Sequence, residues 1–149
     1  NTRPPVAAMA IGVGRAALDL TRDILAREGV EISYQKKPVN LPAIEAELCR
    51  MEAEWEAARL LVQKAAWMAD NGIPNSTEAS MSKAKAARVA NEITLRCVEL
   101  CGGLGYSEVG LLEKWARDSK IIDIFEGTQQ IQLLIIARRL LGKRSSELR

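Results

Sequence analysis

Glu126 ends an apolar run, Ile121-Ile122-Asp123-Ile124-Phe125, and directly precedes Gly127 and Thr128. A carboxylate held among apolar groups has its charged form disfavoured, so its proton affinity rises toward neutrality. A general base working near neutral pH needs that shift. Gly127 removes a side chain beside the carboxylate and lets a ligand approach the backbone closely. The same residues also have a plainer reading. A glutamate at the start of a helix is favoured by the positive end of the helix dipole. Residue types and spacing alone leave both open.

A second segment, Cys101-Gly102-Gly103-Leu104-Gly105-Tyr106, is rich in glycine, but no strand precedes it, so it is not a dinucleotide fingerprint. Cys97 and Cys101 lie four apart and share a helix face. With only the distant Cys49 and no histidine to complete a ligand set, they read as small core residues, and no metal is expected. Three thiols without a disulfide framework fit a reducing interior, a bacterial cytoplasm or a mitochondrial matrix.

The elements that must position these groups all read as helices. Alanine, leucine, glutamate and arginine are abundant and aromatics are only 4%, which favours helix over sheet. The first helix is expected from Pro4-Pro5 to a stop at Gly29. A loop to Val39 follows, containing Ile32, Tyr34 and the basic pair Lys36-Lys37. Asn40 is expected to cap the second helix, whose apolar positions are Leu41, Ile44, Leu48, Met51, Trp55, Ala58, Val62, Ala65 and Ala69. Their alternating spacings of three and four form the seam of a helix packed along its neighbours. Glu45, Glu47, Arg50, Glu52, Glu54, Glu56 and Arg59 read as its solvated face.

Gly72 and Pro74 punctuate the next connection, and Asn75 with Glu78 predicts a capping box for the third helix. Its buried stripe reads Ala79, Ala86, Ala90, Ile93, Cys97, Leu100, and Gly102-Gly103 ends it. A shorter helix is expected from Glu108 to about Asp118. Thr128 is expected to cap a last helix carrying Ile131, Leu134, Ile135 and Leu141, with a frayed polar tail over 143–149. The expected fold is all-α, an up-down-up-down four-helix bundle with an additional short helix.

Bulk properties exclude other classes. The 149 residues suit one domain, and a net charge of +2 gives no argument for nucleic acid. The most apolar run, Val6 to Leu18, contains Arg15 and falls short of the roughly 20 residues of a membrane span. A start at Asn1, followed by Thr2-Arg3-Pro4-Pro5, reads as an excised domain without a signal peptide, the C-terminal part of a longer chain.

Four segments in order carry a resemblance: Arg3-Pro4-Pro5-Val6-Ala7-Ala8, Gly102-Gly103-Leu104-Gly105-Tyr106, Arg117-Asp118-Ser119-Lys120, and Ile124-Phe125-Glu126-Gly127-Thr128. Together they resemble the C-terminal helical domain of acyl-CoA dehydrogenases, from Thr2 to about Leu141. The resemblance implies an FAD-dependent enzyme that removes the α-proton of an acyl-CoA thioester with a carboxylate while hydride leaves the β-carbon for the flavin. It implies Glu126 as the catalytic base. Arg3, Phe125 and Gly127 become active-site neighbours, and Thr128, Gln130, Gly102 and Gly103 become flavin contacts. Some relatives place their acidic base at the start of this domain's first helix. Here the position matching it in the resemblance is Thr2, which has no carboxylate, so the two positions are mutually consistent. The implied partners are an electron-transfer flavoprotein and further subunits, identical or paralogous.

The sequence also departs from the pattern. Arg27-Glu28-Gly29-Val30-Glu31-Ile32 replaces the arginine-phenylalanine-glycine that usually follows the first helix. Leu41-Pro42 stands where a glutamine opens the second helix, and Glu99 where one precedes the glycine pair. In the family those groups reach the flavin of a neighbouring subunit, and an acid near flavin phosphates is repulsive. The expectation is a subunit that keeps its base but has lost the half-site lent to a neighbour, paired with a different subunit. The isolated chain is expected to show no dehydrogenase activity. The competing reading is an inactive structural or interaction subunit on the same bundle.

Overall fold

The computed structural model describes residues 2–30, 32, 35 and 37–147. Tyr34, Lys36 and Glu31 of the expected loop, and the last two residues of the expected tail, lie outside the described residues. Among the described residues six α-helices follow one another: α1 Arg3–Arg27, α2 Ala43–Asp70, α3 Ser76–Leu100, α4 Gly102–Tyr106, α5 Leu112–Ile124 and α6 Gln129–Leu141. Among the described residues none is long and apolar enough to cross a membrane.

Side-chain pairs fix the directions. Trp55 Nε1 donates to the Ile11 carbonyl at 2.9 Å, and Glu52 bridges Arg15 and Arg22 at 2.8 and 2.5 Å, so α1 and α2 are antiparallel. Glu54–Lys85 and Glu47–Arg96 make α2 and α3 antiparallel. Asn91 reaches the Ser119 carbonyl and Lys83 reaches that of Gly127, so α5 runs back along α3. The up-down-up-down bundle is therefore α1-α2-α3-α5. Helix α3 is its axis and packs against all five other helices.

Small residues make that packing possible. Ala7, Ala10, Ala17, Ala58, Ala86, Ala87 and Ala90 are buried, with Leu18, Leu48, Met51 and Ile93 filling the remaining volume. Burying such side chains stabilises by about 25 cal/mol per Å² of apolar surface. Gly14 on α1 lies under the Trp55 ring, where a Cβ would come within 3.3 Å of Cδ1. The guanidinium groups of Arg15 and Arg59 lie 5.0 and 5.8 Å from the ring centroid. Cys97 and Cys101 are buried free thiols. Burial pushes Cys97 up to about 11, so it stays protonated and behaves as a small hydrophobe.

Several local expectations change. Asn40 closes a 3-10 turn, Pro38–Asn40, and Pro42 takes the N-cap of α2. Asn75 is the N-cap of α3, but its amide donates to the Ala65 carbonyl at 2.7 Å and forms no capping box. Glu45 is buried rather than solvated. Gly102-Gly103 does not simply end α3, because one further turn, α4, folds back with Gly105 against the Val98 carbonyl. The Ile121–Ile124 stretch joins the preceding short helix, and the resulting α5 is the fourth member of the bundle. On α6, Gln132 is buried while Ile131, Leu134 and Leu141 are exposed. Residues 143–147 are exposed and include a 3-10 turn at Ser145–Glu147.

Candidate active site

Only four residues, Phe125 to Thr128, join α5 to α6. Two in succession are left-handed, Glu126 at φ +54° and Gly127 at φ +93°. Among the described residues Glu126 is the only non-glycine with positive φ. Such a conformation costs an L-residue about 1–2 kcal/mol and persists only where its surroundings impose it.

Three side chains impose it. Lys83 Nζ, buried on α3, donates to the Gly127 carbonyl at 2.7 Å. Gln132 Nε2, buried on α6, donates to the carbonyls of Glu126 and Gly127 at 3.2 Å each. Thr128 Oγ1 caps α6 by accepting from the Ile131 amide at 3.4 Å, the cap expected from sequence. Gly127 is required twice over, since its φ suits glycine and a Cβ would lie 2.4 Å from Gln132 Nε2.

The loop presents Glu126 to an open cavity of about 760 Å³. Thr2 Oγ1 donates to Glu126 Oε2 at 2.8 Å. The start of α1 and the end of α5 thus meet at one carboxylate. Arg3 lines the same cavity, its guanidinium donating to Ser80 and, at 3.5 Å, to Ser76 on α3. Burial, and then the charge of Arg139, disfavour the protonated form of Arg3. Arg138, Arg139, Lys143 and Arg144 complete a wall against which, among the described residues, Glu126 is the only acid. Such a wall attracts anions.

The apolar shell expected around Glu126 is not supplied by this chain, in which the residue is exposed. Phe125 faces the other way, into an apolar groove of about 440 Å³ shared with Met9, Val13, Ile121 and Ile122. Thr128 and Gln130 open α6 beside the base loop. Gly102 and Gly103 do not join this cluster. They lie 19 residues beyond Lys83 in sequence, 102 minus 83, which is about 28 Å at helical rise. Glu99, next to them, pairs with Arg96 at 2.5 Å, so its charge is not bare. Among the described residues no cluster of three or more His, Cys, Asp or Glu is placed to hold a metal.

Lys83 and Gln132 escape a sequence reading. Yet Lys83 fills the gap between Ala79 and Ala86 in the expected stripe of α3, and that spacing is the signal that it points inward.

The strain at position 126 can be tested. Glu126→Gly removes a hydrogen-bonded side chain, yet is expected to leave stability unchanged or to raise it by up to about 1 kcal/mol. Calorimetry of the full-length protein checks this. A fall in Tm beyond about 3 °C would show that the loop carries no strain at this residue.

The same fold occurs in known proteins. The family model described as the C-terminal domain of acyl-CoA dehydrogenase matches residues 1–141. A probable acyl-CoA dehydrogenase of Bacillus subtilis is 36% identical over 139 residues, 93% of this chain and 36% of the relative. The structure of butyryl-CoA dehydrogenase from Megasphaera elsdenii aligns with a TM-score of 0.80 at 36% identity, covering 93% of this chain and 36% of that one. A structure described as an electron transferring flavoprotein of Acidaminococcus fermentans aligns with a TM-score of 0.83 at 34% identity over the same shares, 93% and 36%. The chain thus spans about a third of the length of these relatives, 36% in each case. With that match over nearly its whole length, the chain belongs to the acyl-CoA dehydrogenase family and corresponds to its C-terminal helical domain.

Proposed function

We propose that this chain is the C-terminal domain of a longer FAD-dependent acyl-CoA dehydrogenase, with Glu126 as the base that removes the α-proton of an acyl-CoA thioester to give a trans-2-enoyl-CoA. The observation that carries the proposal is the left-handed Glu126, held from beneath by Lys83 and Gln132 and facing an otherwise cationic cavity. Strain maintained at one carboxylate is the mark of a group fixed for chemistry rather than for stability. Replacing Glu126 by glutamine in the full-length protein is the direct test, and loss of turnover with folding intact is the expected result.

The residues present fit one edge of a flavin site. Gln130 is exposed in the first turn of α6, where free backbone amides and the positive end of the dipole suit a diphosphate. When bound, the flavin accepts the hydride from the β-carbon. The chain's own part is to hold Glu126, with Thr2 donating to one carboxylate oxygen and the other left to meet the substrate proton. Phe125 and its apolar groove lie on the opposite side of the same loop and can exclude water there. The remaining flavin and CoA contacts belong to parts of the enzyme outside this chain.

The proposed electron acceptor is an electron-transfer flavoprotein, and the proposed compartment is a reducing interior. The exposed apolar residues of α6, Ile131, Leu133, Leu134, Leu140 and Leu141, support its use as part of a subunit or domain interface. The partner subunit is proposed to be a non-identical paralogue. Support comes from Pro42 at the N-cap of α2 and Glu99 beside the glycine pair, in place of the family's glutamines. Purification of the full-length protein with and without the products of its genomic neighbours, with flavin measured per chain, tests this. Less than one flavin per chain in a mixed complex is expected; full occupancy in a homo-oligomer overturns it.

A further inference from the structure

Lys83 is a fully buried lysine in the N-terminal third of the bundle's central helix. Burying an ammonium is costly unless its position brings a compensating interaction. Its hydrogen bond to the Gly127 carbonyl meets one donor requirement, but a neutral amide could make the same bond. Burial lowers the proton affinity of this amine, and the charges of Asp123 and Glu126 offset that only in part. One carboxylate oxygen of Asp123 is buried without a hydrogen-bond partner, while the other accepts from Lys120 at 3.2 Å.

We propose that Lys83 is a positioning residue for the base. It locks the left-handed Glu126–Gly127 peptide from beneath by donating to the Gly127 carbonyl at 2.7 Å, and so fixes where the Glu126 carboxylate points. The proposal rests on the reading of Glu126 as the base. Gln132 holds the same loop from α6, its Nε2 donating to the carbonyls of Glu126 and Gly127 at 3.2 Å each. Loss of the Lys83 donor therefore leaves the loop held from one side and the Gly127 carbonyl short of a buried partner.

A base displaced from its place costs rate in the chemical step, so the effect falls on kcat and leaves KM near the parent value.

The test uses the full-length enzyme with its flavin and compares Lys83→Gln, Lys83→Met and Lys83→Arg. Lys83→Met loses the donor, and is expected to lower kcat by about 100-fold with KM near the parent value and flavin still bound. Lys83→Gln keeps a shorter donor and is expected to lose about tenfold in kcat. Lys83→Arg keeps a donor of full reach and is expected to restore kcat to within about threefold of the parent wherever the variant folds. A folded, flavin-loaded Lys83→Met with the parent's kcat overturns the proposal. So does a loss in kcat no larger than the loss of folded enzyme in every variant. Glu126→Gln separates the two readings. If that variant keeps full activity, the base assignment fails; if it is inactive while Lys83→Met keeps the parent's kcat, only the role of Lys83 fails.

Discussion

Replacing Glu126 by glutamine in the full-length enzyme is expected to lower kcat by about 10³-fold or more, with helicity and flavin content retained. General-base catalysis contributes roughly 10²–10⁴-fold, and a 10³-fold loss corresponds to about 4 kcal/mol of barrier. The substitution is clean because of where the residue sits. Glu126 is exposed, so the amide incurs no burial penalty. Its carbonyl oxygen can still accept from Thr2 Oγ1, which reaches Oε2 at 2.8 Å in the parent. Backbone strain is unchanged, and Lys83 and Gln132 bind main-chain carbonyls rather than the altered side chain. Stopped-flow reduction of the flavin by substrate, beside steady-state turnover with an artificial acceptor, reads the effect. An inactive structural subunit predicts no change in the complex it supports, and turnover within about threefold of the parent would favour that reading.

How much of this was legible beforehand depends on which physical signal each residue carries. Glu126 stood out because an apolar run, a carboxylate and a glycine coincide in sequence, but that pattern left a helix-start residue equally open and only the family resemblance pointed to a base. The bundle was legible from periodicity and punctuation, and Ala79, Ala86, Ala90, Ile93 and Cys97 are buried as their spacing requires. Lys83 and Gln132 were not, because the pattern argument sorts residues by polarity and assigns such types to solvent. Each violates that rule at the place where main-chain carbonyls of a loop need internal donors. Glu45 breaks the same rule on α2. The direction in which α6 faces was not legible for another reason. Periodicity identifies an apolar face but not what it meets, and here α6 turns Gln132 inward to the loop and Ile131 and Leu134 outward. The left-handed backbone at Glu126 leaves no mark on residue type, since glutamate is not a residue that seeks it.

Gly127→Ala is expected to damage stability and chemistry together, by about 2–4 kcal/mol and about 100-fold in kcat. The first contribution is backbone strain, because alanine at φ +93° lies in the region that L-residues avoid. The second is steric. The added methyl would lie 2.4 Å from Gln132 Nε2, a buried amide already fixed by two carbonyl bonds. Either Gln132 withdraws and leaves polar groups unpaired, or the loop moves and takes Glu126 with it. Both routes disturb the carboxylate, since its own backbone carbonyl is one of those held by Gln132. A drop in Tm of about 5–10 °C, with flavin still bound and turnover reduced, is the expected pattern. The contrast with the adjacent position is what makes the pair informative. Glu126→Gly should abolish turnover without loss of stability, while Gly127→Ala should lose both. Two neighbouring substitutions with opposite signs in Tm and the same sign in rate would mean that the loop is held in a strained shape for the sake of its carboxylate. An unchanged Tm and kcat in Gly127→Ala would mean that the loop relaxes freely, and that Lys83 and Gln132 do not hold it.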